Sequence, residues 1–119
     1  MRILVVEDQQ VDRLIIKKQL SPAFDVTTLS SAIEAKVFAR NNTFDVALLN
    51  VFLQEDMDGL ELLKDLEVIS AQSFLALAIS AHVDDSRCQR LLNSGFKALL
   101  PKPFEREEFE RLVAVFLAA

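Results

Sequence analysis

The stretch ILVVED at residues 3–8 is a run of four apolar residues that ends abruptly in two acids. Four residues are too few for a helix, and most of them are β-branched, so the run predicts a short strand buried on both faces. The stretch DVALLN at residues 45–50 has the same character, and further apolar runs occupy residues 74–80 and 96–100. Longer segments with helical spacing separate these runs. This alternation predicts an α/β protein with a parallel sheet.

The whole chain divides into five strand–helix units on this basis. Strands are predicted at residues 3–6, 24–29, 45–50, 74–80 and 96–100. Helices are predicted at residues 9–20, 31–40, 59–70, 84–94 and 105–117. Five such units most commonly give a sheet of order 2-1-3-4-5 with helices on both faces, which is the flavodoxin-like arrangement. The length of 119 residues predicts one domain that spans the chain.

Several local signals support the predicted helices. The first helix carries one apolar stripe, formed by Val11, Leu14 and Ile15. Ser31 stands three residues before a glutamate, which is the spacing of a capping box. Gly95 follows the fourth helix, where a glycine commonly ends a helix.

Composition excludes several classes of protein. Hydrophobic residues make up 51% of the chain and charged residues 26%, so the chain is not disordered. The net charge of −5 argues against nucleic-acid binding, and no apolar run approaches the length of a membrane span. The N-terminus lacks the apolar core of a signal peptide. The single cysteine, Cys88, excludes an internal disulfide, and we expect a cytoplasmic protein.

Polar side chains follow the predicted strands at the edge where ligands bind in such sheets. Glu7 and Asp8 follow the first strand, Asn50 ends the third, Ser80 ends the fourth, and Lys102 follows the fifth. Two adjacent carboxylates suit Mg²⁺, and a hydroxyl with an ammonium suits the oxygens of a phosphoryl group. The sequence therefore predicts a phosphate-handling site with Asn50 in the place of a nucleophile.

Five blocks of the sequence resemble the landmarks of the response-regulator receiver domain in order and spacing. The blocks lie at residues 3–8, 45–50, 58–62, 79–81 and 101–104. In that family an aspartate at the end of the third strand accepts a phosphoryl group from a histidine kinase in the presence of Mg²⁺.

The resemblance implies a role for each matching residue. Glu7 and Asp8 would hold the metal, together with the backbone carbonyl of Phe52. Ser80 would contact the phosphoryl group, and Lys102 would pair with it. The resemblance also implies a cis peptide bond between Lys102 and the proline that follows it.

Asn50 is the main departure from the family pattern, because it aligns with the phosphoacceptor. A carboxamide is not a nucleophile at neutral pH, so we expect no phosphorylation at residue 50 and no enzymatic activity. The loss of one negative charge would also weaken the Mg²⁺ site, to which Asn50 could offer only its carbonyl oxygen. Leu99 is a second departure, since many receivers carry a mobile aromatic residue there. Gln54 replaces a common proline in a loop that is one residue longer than usual.

Two explanations of Asn50 stay open. The residue is either natural, which makes the chain a pseudo-receiver, or an engineered substitution in an ordinary phospho-accepting receiver whose native residue is Asp. A flavin or nucleotide carrier is a third class with the same architecture. That class needs a phosphate-binding loop after the first strand, where this chain has two acids.

The expected output of such a chain is binding to a protein partner. The resemblance implies a histidine kinase, another receiver or a downstream protein, bound through the fourth helix, fifth strand and fifth helix. We expect a monomer or a weak dimer, with no contact to nucleic acid or membrane. No output segment follows residue 119, so the chain is expected to be a stand-alone receiver, with a domain excised from a longer protein as the alternative.

Overall fold

The computed structural model describes residues 1–51, 59–81 and 85–117, without the side chain of Arg87. Strands and helices alternate along this part of the chain. The strands are β1 (Arg2–Val6), β2 (Asp25–Leu29), β3 (Val46–Asn50), β4 (Leu75–Ser80) and β5 (Ala98–Pro101). The helices are α1 (Gln10–Leu20), α2 (Ala32–Asn41), α3 (Gly59–Ile69), α4 (Asp85–Asn93) and α5 (Arg106–Leu117). Every predicted element is present, with ends displaced by at most two residues where both ends are described.

The five strands form one parallel sheet of order β2-β1-β3-β4-β5, which confirms the predicted fold class. In this register Val6 pairs with Leu49 of β3, and Asn50 pairs with Ile79 of β4. Ser80 in turn pairs with Pro101 of β5. The residues that follow these strands therefore emerge at one edge of the sheet.

Two hydrophobic layers cover the two faces of the sheet, because successive strand residues point to opposite sides. Leu4 and Val6 belong to the layer that includes buried residues of α2, α3 and α4. Ile3 and Val5 belong to the layer that includes buried residues of α1 and α5. Leu99 of β5, the second departure from the family pattern, packs against the first layer.

The apolar stripe predicted for α1 is not the buried face of the helix. Val11, Leu14 and Ile15 are 67%, 60% and 45% exposed, whereas Ile16 and Leu20 are buried against the sheet. A helix places residues four positions apart on the same face, so Ile16 and Leu20 form the inward side. Val11, Leu14 and Ile15 therefore lie on the outward side of the helix.

The other local signals are confirmed. The Ser31 hydroxyl caps α2 by accepting a hydrogen bond from the backbone nitrogen of Glu34 at 3.1 Å. Gly95 has a φ of 117°, a left-handed conformation that favours glycine after a helix. No helix in the described ranges is both long enough and apolar enough to cross a bilayer.

Candidate functional site

The end of β1 positions two carboxylates. The backbone nitrogen of Glu7 donates to the carbonyl of Leu29, which extends the pairing with β2 by one residue beyond the strand. The side chain of Glu7 is fully buried, and its Oε2 also accepts a hydrogen bond from the backbone nitrogen of Gln9 at 3.1 Å. Asp8 is only partly buried. The site therefore contains one carboxylate shielded from water and one at its mouth.

Asn50 lies at the end of β3, next to β1 in the sheet, and is 5% exposed. Its Nδ2 donates to Oε2 of Glu7 at 2.8 Å and to Oδ1 of Asp8 at 3.2 Å. The amide nitrogen thus faces both carboxylates, as electrostatics demands of a neutral side chain between two anions.

Lys102 enters the site from the loop after β5. Its Nζ lies 2.5 Å from Oε1 of Glu7 and 3.0 Å from Oδ2 of Asp12. Burial by itself lowers the pKa of Lys102, but the hydrogen bonds and charges of Glu7 and Asp12 outweigh it and raise the pKa above its ordinary value. Lys102 is therefore held as an ammonium.

The backbone around Lys102 connects it to Ser80. The backbone nitrogen of Lys102 donates to the carbonyl of Ser80 at 2.8 Å, and the Lys102–Pro103 peptide bond is cis, as the resemblance implied. Ser80 is fully buried at the end of β4. Glu7, Asp8, Asn50 and Lys102 thus meet through their side chains, and Ser80 is joined to them through the backbone. Phe52 and Gln54 lie outside the described residues.

Sequence reasoning missed two residues of the site, both on α1. Asp12 forms the second ion pair of Lys102. The guanidinium of Arg13 donates through Nη1 to the backbone carbonyls of Glu7 and Asp8, at 2.9 and 3.0 Å. A signal was present, because Asp12 lies in the first turn of α1, which follows directly on Glu7 and Asp8 at the end of β1.

The donor set matches Mg²⁺ in chemistry but not in this arrangement. The carboxylates of Glu7 and Asp8 are the hard oxygen ligands that Mg²⁺ prefers. However, both oxygens of Glu7 accept hydrogen bonds from nitrogen donors, and Asn50 presents its nitrogen to the acids. Within the described ranges, no three His, Cys, Asp or Glu side chains are grouped to hold a metal ion. The charge of Glu7 is therefore balanced by Lys102 within the chain, and Asp8 accepts a hydrogen bond from the Asn50 amide.

Proteins of known family resemble this chain over nearly its whole length. The sensor protein TorS of Escherichia coli K12 is 28% identical over 98% of this chain, which spans 13% of TorS. The two-component response regulator ORR1 of Oryza sativa subsp. japonica is 28% identical over 93% of the chain, which spans 53% of that protein. The chain thus covers only part of each of these relatives.

A solved structure shows the same likeness in three dimensions. It is the receiver domain of the sensor histidine kinase PA1611 from Pseudomonas aeruginosa, described with a magnesium ion coordinated in its active site cleft. The two chains are 25% identical and superpose with a TM-score of 0.84, over 99% of this chain and 98% of the other. Residues 3–114 also match the family profile described as "Response regulator receiver domain". This match covers most of the chain, which therefore belongs to the response regulator receiver domain family.

Proposed function

We propose that residues 1–119 form one receiver unit that acts through protein contacts, without phosphoryl transfer to residue 50. Receiver domains are signalling modules of two-component systems rather than typical enzymes. The observation that carries the proposal is the carboxamide of Asn50, which ends β3 and faces Glu7 and Asp8 at hydrogen-bond distance. On the resemblance of residues 45–50 to the family's third-strand block, we take this to be the position of the phosphoacceptor.

The chemistry of the amide explains the proposed loss of transfer. An acyl phosphate forms when a carboxylate oxygen attacks phosphorus, and an amide is neither basic nor nucleophilic at neutral pH. In addition, Asn50 brings no negative charge to the metal ligands that we propose, Glu7, Asp8 and the backbone carbonyl of Phe52. We therefore propose that Mg²⁺ binds more weakly here than in a receiver with aspartate at this position.

The test compares the chain with its Asn50→Asp variant. Each protein is incubated with Mg²⁺ and acetyl phosphate, a small phosphodonor, and its intact mass is then measured. We expect the chain with Asn50 to keep its mass and the variant to gain one phosphoryl group. A phosphoryl group on Asn50 itself would overturn the proposal.

The same experiment addresses a second candidate, an ordinary phospho-accepting receiver whose natural residue 50 is Asp. The ion pair of Lys102 with Glu7 favours this candidate, since these side chains would serve phosphoryl transfer. If the variant is phosphorylated, only the nucleophile is missing, and the codon for residue 50 in the natural gene then distinguishes a natural from an engineered Asn50. If neither protein reacts, the chain is an interaction module alone.

The proposed partner is a histidine kinase, another receiver or a downstream protein in the cytoplasm. Sensor kinases that contain a matching segment support this class of partner, because receivers and kinases operate in one system. We place the contact on the surface formed by α4, β5 and α5, where Leu92 of α4 is 41% exposed. A chain that binds there as a monomer or weak dimer needs no phosphoryl group at residue 50.

A further inference from the structure

The acidic site is already occupied by positive and hydrogen-bonding nitrogen atoms of the chain itself. Oε1 of Glu7 accepts from the ammonium of Lys102, and Oε2 accepts from the amide of Asn50. Glu7 is fully buried, so these donors and the backbone nitrogen of Gln9 take the place of the water that would otherwise hydrate its charge. Any further cation must therefore compete with them.

We infer that the ammonium of Lys102 is the resident cation of this site, so that Mg²⁺ binds at Glu7 only by displacing it. This inference concerns the metal alone and does not depend on whether residue 50 is phosphorylated. Lys102 then hinders metal binding, because its ammonium and the ion compete for the carboxylate of Glu7.

Two rearrangements would have to accompany metal binding. The ammonium must leave Oε1 of Glu7, because a protonated nitrogen has no lone pair to offer a metal and repels it at short distance. The amide of Asn50 must also rotate by about half a turn, because only its oxygen is a metal ligand. Each step gives up a hydrogen bond to the buried carboxylate before the metal can replace it.

Asp12 acts as a positioning residue for the ammonium. It holds Nζ of Lys102 at 3.0 Å from the α1 side, so the ammonium has two carboxylate partners rather than one. A cavity of about 330 Å³ opens beside this pair and is lined by Ile15, Gln19 and Pro103 among others. The displaced ammonium can therefore move toward this cavity and keep its contact with Asp12.

The decisive measurement is the affinity for Mg²⁺ alone, by titration calorimetry, of the unaltered chain, Lys102→Met and Lys18→Met. Lys18 is exposed on α1, so its variant removes the same charge without touching the acids. We expect Lys102→Met to bind Mg²⁺ roughly tenfold or more tightly than the unaltered chain, because a unit charge within a few ångströms of the ion is removed. Lys18→Met should change affinity by less than about twofold, since exposed charges are screened.

Equal or weaker binding by Lys102→Met, relative to Lys18→Met, would overturn the inference. Loss of the ammonium could instead prevent the variant from folding. Recovery of the folded state on addition of Mg²⁺ would then support the inference. If the variant stays unfolded at all Mg²⁺ concentrations, NMR of the unaltered chain decides. There the side-chain resonances of Lys102 must shift as Mg²⁺ binds, and binding that leaves them unchanged would show that ion and ammonium coexist.

Discussion

Glu7 shows how a fully buried carboxylate can be stable in this protein. An ionised side chain taken out of water loses several kcal/mol of hydration, which only a close and well-bonded partner offsets. Here Lys102, Asn50 and the backbone nitrogen of Gln9 all donate to Glu7. The ammonium is the only charged member of this set, so the charge balance at Glu7 depends on Lys102.

Lys102→Met should therefore lower the free energy of unfolding by about 3 kcal/mol at neutral pH, because it leaves a buried carboxylate without its counter-charge. The pKa of Lys102 is raised in the folded protein, so its stabilisation is complete below the pKa of an unfolded lysine. It is lost as the pH rises through the folded pKa. Urea unfolding of both proteins across the neutral and alkaline range should show their difference shrinking at the alkaline end.

The double variant Glu7→Gln/Lys102→Met provides the control, since it removes both charges together. We expect it to be more stable than Lys102→Met alone, because a buried amide costs less than an unpaired buried carboxylate. A cost of less than 1 kcal/mol for Lys102→Met, the magnitude of a surface ion pair, would contradict this account of Glu7.

Among the elements, α3 begins in direct contact with the end of β3. A Cβ atom placed on Gly59 would lie 2.7 Å from Cα of Val51 and 3.0 Å from the carbonyl oxygen of Asn50. The backbone nitrogen of Gly59 donates to the carbonyl of Val51 at 3.2 Å. Both close neighbours are backbone atoms, which cannot move aside as the end of a flexible side chain can.

Gly59→Ala should accordingly destabilise the fold by about 1–3 kcal/mol, the usual cost of inserting a methyl group into a packed region. Chemical denaturation gives this value directly. The control is Lys64→Ala, at an exposed position of the same helix, which should change stability by no more than about 0.5 kcal/mol. Similar values for both variants would show that α3 can shift away from β3 at little cost.

The elements themselves were predictable from sequence because each strand is a short apolar run between helical segments. The buried face of α1 was not, since Val11, Leu14 and Ile15 share a stripe as regular as that of Ile16 and Leu20. Only the packing of the helix on the sheet distinguishes the two stripes.

The site was predictable to the extent that strand order fixes it. The topology brings Glu7, Asp8, Asn50 and Lys102 to one edge, as the polar residues after the strands indicated. The pairing of Lys102 with both Glu7 and Asp12, and the direction of the Asn50 amide, depend on the local arrangement of charges. Residue type and spacing do not encode that arrangement.

At the scale of the whole molecule, we compare two exposed surfaces of the described residues as sites for a partner. One is the proposed surface of α4, β5 and α5, which includes Leu92. The other is the outward side of α1, which exposes Val11, Leu14 and Ile15. Exposed apolar residues are ordinary on protein surfaces, so exposure alone does not decide between the two.

A matched pair of variants, Leu92→Asp and Leu14→Asp, distinguishes the two surfaces. Binding of each to a histidine kinase from the same genome is measured by calorimetry without a phosphodonor. We expect Leu92→Asp to weaken binding by about tenfold or more, as a charge placed at an interface centre does, and Leu14→Asp to change it little. The reverse result would show that the partner binds the outward side of α1 instead.

The ion pair between Lys102 and Glu7 spans 95 positions of the sequence and joins the residue after the first strand to the loop after the last one. During synthesis, the carboxylate of Glu7 remains without its ammonium until Lys102 has been added to the chain. Long-range pairings of this kind form late, because the intervening chain must first be ordered. The native arrangement around Glu7 is therefore reached only once Lys102 has been synthesised, after all five strands of the sheet.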